Sequence, residues 1–94
     1  MELDLQFEWD DQKAAFNQKR HKVSFELATL IFLDNNRITA IDKRNDYGET
    51  RYVTVGLIEN RVHVVVYTKR QEVIRLISSR KANSREQKRY YGNR

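Results

Sequence analysis

The chain has 94 residues, with 18 Lys and Arg against 13 Asp and Glu for a formal net charge of +5, and it contains neither cysteine nor proline. This length supports one domain over residues 1–94, with roughly two thirds of the unfolded surface buried. Without cysteine, disulfides, thiolate zinc sites, iron–sulfur clusters and a cysteine nucleophile are excluded, and with His21 and His63 as the only imidazoles we expect no metal and no cofactor.

The opening Met1-Glu2-Leu3-Asp4-Leu5 is acidic and lacks the basic and apolar regions of a signal peptide. The longest apolar run, Val64-Val65-Val66-Tyr67, falls far short of the roughly 20 residues of a membrane span. These features predict a soluble, cytoplasmic protein with no membrane association.

Apolar residues recur at helical spacing near the front and alternate further on. The pattern predicts an α+β fold: two N-terminal helices, an antiparallel sheet of about four strands and a C-terminal helix. Asp10 is placed to cap a first helix running to about Arg20, with Trp9 positioned to staple onto Ala14. Lys13, Asn17 and His21, spaced i, i+4, i+8, share one stripe of that helix, displaced from Ala15 and Lys19. Ser24 reads as the next N-cap, with Val23 and Ala28 as its staple and Glu26 near the positive end of the helix dipole. Leu27, Ala28, Ile31 and Phe32 form the buried stripe, and Asp34-Asn35-Asn36 ends the helix.

Strands are predicted at 37–42, 50–58, 62–69 and 72–79. The short links Glu59-Asn60-Arg61 and Arg70-Gln71 make the last three an antiparallel meander, and residues 43–49, with Asn45, Asp46 and Gly48, form a loop. Arg51 shares a face with Val53, Val55 and Leu57, and Arg75 lies between Val73 and Ile77. An arginine interleaved with apolar residues requires an anion, an acidic partner or a snorkelling route. Asn83 caps the last helix, with Glu86 in a capping-box position, and that helix carries Arg85, Lys88 and Arg89 followed by Tyr90 and Tyr91.

The charge is unevenly placed. Residues 1–79 hold 12 basic and 12 acidic side chains, whereas residues 80–94 hold Arg80, Lys81, Arg85, Lys88, Arg89 and Arg94 against Glu86 alone. Such a cluster fits a polyanion partner, and equally a solvated basic tail.

Glycines 48, 56 and 92 are too scattered to cradle a phosphate, and the sequence carries no H-E-x-x-H or G-x-S-x-G. RNA cleavage remains within reach of these residues, because RNA supplies its own 2′-hydroxyl nucleophile and needs only a base, an acid and cations around the phosphorane. His21, Lys13, Arg51, Arg75, Arg80 and Tyr90 are catalytic candidates by residue type, and Lys81, Arg85, Lys88 and Arg89 are candidates for RNA binding. Each has a structural alternative. His21 equally fits a helix-end role, and His63 fits an exposed strand position. Arg51, Arg75 and Arg80 equally fit pairing with Glu49, Glu72 or Asp residues, and Tyr90 better fits an anchor for the last helix.

The order Phe7-Glu8-Trp9-Asp10, Lys13, Asn17, then Arg20-His21-Lys22-Val23-Ser24-Phe25-Glu26 resembles the opening of the BrnT toxin family. The likeness continues through Asp34, Glu49-x-Arg51, Val55-Gly56 and Val64-Val65-Val66-Tyr67-Thr68-x-Arg70. It closes with Ile74-Arg75-Leu76-Ile77-Ser78-Ser79-Arg80-Lys81-Ala82 and residues 86–90. The resemblance implies a ribonuclease toxin of a type II toxin–antitoxin system with a RelE-like fold, acting on RNA. Its implied partner is a BrnA-type ribbon-helix-helix antitoxin, through which alone the complex would contact operator DNA. The chain departs from the family pattern at Lys22, where glycine is usual and positive φ is expected, at Ser79, where alanine is frequent, and at Tyr67, where histidine is common. Those departures keep a second reading open, a non-catalytic RNA-binding or protein-interaction module on the same fold.

Overall fold

The computed structural model describes residues 5–44 and 47–92. The first four residues, Asn45 and Asp46 of the predicted loop, and Arg94 of the basic tail lie outside the described residues. In chain order the elements are β1 (Gln6–Glu8), α1 (Asp11–His21), α2 (Phe25–Ala28), a 3-10 helix (Thr29–Leu33), β2 (Ile38–Asp42), β3 (Arg51–Ile58), β4 (Arg61–Arg70), β5 (Val73–Lys81) and α3 (Ser84–Gly92).

Local chemistry accounts for the element boundaries. The Asp10 carboxylate accepts from the N–H groups of Gln12 and Lys13 at 2.8 and 3.0 Å, and Ser24 Oγ accepts from Leu27 N–H at 3.0 Å. At α3 the capping box closes in both directions: Glu86 N–H donates to Asn83 Oδ1 at 2.8 Å, and Asn83 N–H to Glu86 Oε1 at 2.9 Å. The second helix is one α turn followed by 3-10 geometry, and the residues it buries are Phe25, Ala28, Ile31 and Phe32, with Leu27 only partly covered.

The sheet has five strands in the order β1-β5-β4-β3-β2. Strands β2 to β5 form the expected antiparallel ladder, but β1 pairs in parallel with β5, so the sheet is mixed and one strand larger than the sequence pattern indicates. Gln6-Phe7-Glu8 is too short for alternation to register, and it pairs with a strand more than sixty residues away. The β3–β4 turn places Glu59 and Asn60 at φ of 50° and 68°, the two left-handed residues of a hairpin turn whose twist matches its strands.

Helices cover both faces. On one, Phe25, Ala28, Ile31 and Phe32 pack on Ile58, Val65, Tyr67, Ile74 and Leu76. Trp9 meets Phe25 edge-on at 5.9 Å, and both Trp9 and Ala14 border this core. On the other face, Tyr90 and Ala82 pack on Val62 and Val64, with Val53 and Val55 alongside. Gly56 lets the 3-10 helix approach β3, since a Cβ there would sit 3.0 Å from Ile31 and 3.1 Å from Asp34 Oδ2.

Two details depart from strict strand alternation. His63 is 4% exposed, not at the surface, with Nδ1 2.8 Å from the Arg61 carbonyl oxygen; burial pushes its imidazole below the ordinary histidine range. In β5, Leu76 pairs with Tyr67 and Ser78 with Val66, leaving Ile77 as an unpaired bulge residue. No helix among the described residues is long and apolar enough to cross a membrane.

Candidate active site

Helix α1 has little apolar surface to bury, and it is held to the sheet by one polar side chain. Asn17, 4% exposed, donates from Nδ2 to the carbonyls of Val23 (3.0 Å) and Ser79 (2.8 Å), and its Oδ1 accepts from Ser79 N–H at 3.1 Å. Strand β1 pairs with β5 only at residues 73–75. Beyond it, the Asn17 amide presents the donor and acceptor that a neighbouring strand would otherwise supply to Ser79.

This attachment leaves a groove of about 720 Å³ between α1 and β5. Lys13, Phe16, Arg20 and His21 line it from the helix, and Ser78 and Arg80 from the strand. The predicted stripe of Lys13, Asn17 and His21 therefore faces this groove, with Asn17 as its floor bond. His21 is the last residue of α1, and Lys22 closes the helix at φ 62° and ψ 28°, its N–H donating to Gln18 O. Lysine adopts here the left-handed conformation for which the family pattern usually supplies glycine, at a cost of about 1 kcal/mol.

Arg80 is oriented before any ligand arrives. Its Nη1 and Nη2 donate to Glu86 Oε1 and Oε2 at 2.9 and 2.8 Å. These bonds hold the Glu86 carboxyl below the usual carboxylate range and strengthen the cationic state of Arg80. Of its five N–H donors, Nε–H and one Nη2–H lie outside the bonds to Glu86 and to Lys81 O. Ser78 and Arg80 also line a second groove of about 410 Å³ on the α3 face, beside Asp42 and Arg44, so Arg80 stands where the two grooves meet.

Arg51 and Arg75 belong to a different arrangement. The strand registers place Glu8, Arg75, Thr68, Arg51 and Asp42 in one row across all five strands. Arg75 Nη1 donates to Glu8 Oε2 at 3.0 Å, and the Arg51 guanidinium lies 3.7 Å above the Tyr47 ring. Asp42 takes two bonds from the Arg44 guanidinium, Nε to Oδ1 and Nη2 to Oδ2 at 2.9 Å each, and one from Arg44 N–H at 3.1 Å, which hold its carboxyl well below the usual range. Acidic partners thus satisfy Arg75 and Arg80, though they are Glu8 and Glu86 and not the expected Glu49 or Glu72, while Arg51 enters no ion pair among the described residues and its Nε is buried without a hydrogen-bond partner there; Glu49 pairs with Arg70 at 3.4 Å.

The remaining candidates lie apart from the first groove. Tyr90 is 0% exposed, and its hydroxyl donates to Asp34 Oδ2 at 2.6 Å, the anchoring arrangement weighed against a catalytic one from the sequence. The same Asp34 oxygen accepts from Leu57 N–H at 2.8 Å, joining turn, sheet and α3. Tyr67 is also buried, with its hydroxyl 2.9 Å from Thr54 Oγ1. Lys81, Arg85, Lys88 and Arg89 are exposed, Lys81 in register with His63 and the others on α3.

The sequence reading did not single out Phe16 or Arg20 as site residues. Phe16 is 63% exposed and, at i+3 from Lys13 and i−4 from Arg20, stands beside both on the helix surface. That spacing, an aromatic between two cations off the buried stripe, was the available signal.

Among known proteins, residues 9–86 match the family described as ribonuclease toxin, BrnT, of type II toxin–antitoxin system. No curated protein matches the chain.

Proposed function

The chain belongs to the BrnT family of ribonuclease toxins of type II toxin–antitoxin systems, and on that premise we propose that it is a metal-independent endoribonuclease whose substrate lies in the α1–β5 groove. One observation carries the proposal: Lys13, His21 and Arg80 line a single groove, while Arg75, Tyr90 and Tyr67 are engaged elsewhere. Among the described residues, Lys13, Arg20 and His21 enter no ion pair.

The chemistry follows from these side chains. Neutral His21 takes the proton of the RNA 2′-hydroxyl as O2′ bonds to the adjacent phosphorus. The remaining N–H donors of Arg80 stabilise the equatorial oxygens of the phosphorane, held in place by Glu86 without reorganisation during the step. The P–O5′ bond then breaks, and the Lys13 ammonium protonates the departing oxygen, giving a 2′,3′-cyclic phosphate and a 5′-hydroxyl. The exposed cations of α3 and the row bearing Arg51 hold more distant phosphates. The antitoxin implied by the family is proposed to be of the BrnA ribbon-helix-helix type, covering the groove and carrying the contact with operator DNA.

The decisive experiment is cleavage of RNA in EDTA by the purified protein. His21→Ala and Lys13→Ala should each slow it by about 10²- to 10⁴-fold with unchanged thermal unfolding. RNA binding with a steep salt dependence but no cleavage, together with no growth arrest on expression, would instead establish the non-catalytic module.

A further inference from the structure

We propose, building on the groove assignment above, that Phe16 is a base-stacking platform that restricts this protein to unpaired RNA, seating the base of a nucleotide beside the scissile phosphate. The groove supplies the place. Phe16 belongs to both its wall and an adjoining surface depression that it shares with Lys19 and Arg20.

The ring's surroundings decide what it binds. At 63% exposure it contributes almost nothing to the core, and the buried side of α1 is given to Asn17. A protein partner would be expected to meet a broad apolar patch, yet Phe16 is the only large apolar side chain exposed on α1. Its helical neighbours are cations instead: Lys13 at i−3, Lys19 at i+3 and Arg20 at i+4. Single-stranded RNA presents that combination in mirror image, a flat π surface every nucleotide and an anionic phosphate on either side. A base within a duplex has both faces stacked and cannot reach the ring, so paired RNA would be excluded by geometry, not by charge.

The test measures binding and cleavage separately. With 2′-O-methyl RNA, which cannot be cut, Phe16→Ala and Phe16→Leu should weaken binding of a single-stranded oligonucleotide by about 5- to 150-fold, the range expected for one stacked base. Phe16→Tyr should retain affinity. Replacing successive nucleotides by abasic residues should identify one position at which wild type falls to the level of Phe16→Ala and the variant loses nothing further. On cleavable RNA the loss should appear in KM more than in kcat, and a duplexed target should bind wild type and variant alike.

Equal binding of wild type and Phe16→Leu would overturn the proposal while leaving the nuclease reading intact. So would normal RNA binding by Phe16→Ala combined with escape from the antitoxin, which would make Phe16 a protein contact. Phe16-dependent binding without any cleavage by wild type would support the platform and remove the nuclease reading.

Discussion

Helices α1 and α3 are both short and basic and both reach Arg80, yet they are fixed to the sheet by opposite means. Helix α3 buries the whole Tyr90 ring, closes a reciprocal capping box and commits Glu86 to Arg80. Helix α1 buries chiefly one amide, that of Asn17, and leaves Lys13, Lys19, Arg20 and His21 without ion pairs among the described residues. Each helix has three Lys or Arg against one acid, Asp11 in α1 and Glu86 in α3, but α1 borders the larger groove. Positive charge alone therefore does not mark a binding helix: Arg85, Lys88 and Arg89 of α3 are equally without ion pairs among the described residues, and what sets α1 apart is that its Lys13 and Arg20 line the groove.

The attachment of α1 is most vulnerable at Asn17. Asn17→Ala removes three buried hydrogen bonds and leaves Ser79 N–H and two carbonyls unsatisfied. A loss of about 3 kcal/mol is expected, lowering Tm by roughly 15 °C in thermal unfolding. Tyr90→Phe should cost α3 less, about 1.5 kcal/mol by urea denaturation, because the ring still packs and Asp34 keeps its bond from Leu57 N–H.

At the α1 attachment a gain is also available. Ser79 Oγ is buried without a hydrogen-bond partner, so Ser79→Ala should stabilise the protein by about 1 kcal/mol, and alanine is the residue the family pattern often places there. The smallest effect concerns acid. The folded pKa of His63 lies below the ordinary 6.5 because burial disfavours the imidazolium, so its contribution is complete above pH 6.5 and declines as pH falls toward the folded value. Urea midpoints measured between pH 7.5 and pH 5 should decrease, with the His63 ring titrating below the ordinary histidine value by NMR.

What was legible in the sequence is what one turn or one hairpin decides. Asp10, Ser24 and the Asn83–Glu86 pair announce their helices because a cap is made by residues two or three apart. The left-handed turn at Lys22 was legible from the family's glycine there, and the structure realises it at φ 62°. The partners of the arginines were not, since Arg75 finds Glu8 across 67 positions on a strand too short to show a period. His63 has ordinary strand surroundings, and only the packing of the sheet decides that it is buried. The candidate site was half legible: the Lys13–Asn17–His21 stripe followed from helical spacing, whereas which arginine joins it depends on where β5 turns its side chains.

The side to which β5 turns Arg80 is set by the unpaired Ile77. Two residues five positions apart on a regular strand project to opposite sides, because five is odd. Arg75 and Arg80 are five apart, yet their partners Thr68 and Val64 lie on the same side of β4, since the extra residue between them restores even parity. Were Ile77 to pair as an ordinary strand residue, Arg80 would turn toward the aromatic core and Ser79 and Lys81 to the opposite side, whereas deleting Ile77 would leave Arg75 and Arg80 four apart and still on one side. The bulge at Ile77 is therefore as much a functional feature of this chain as the identities of Arg75 and Arg80.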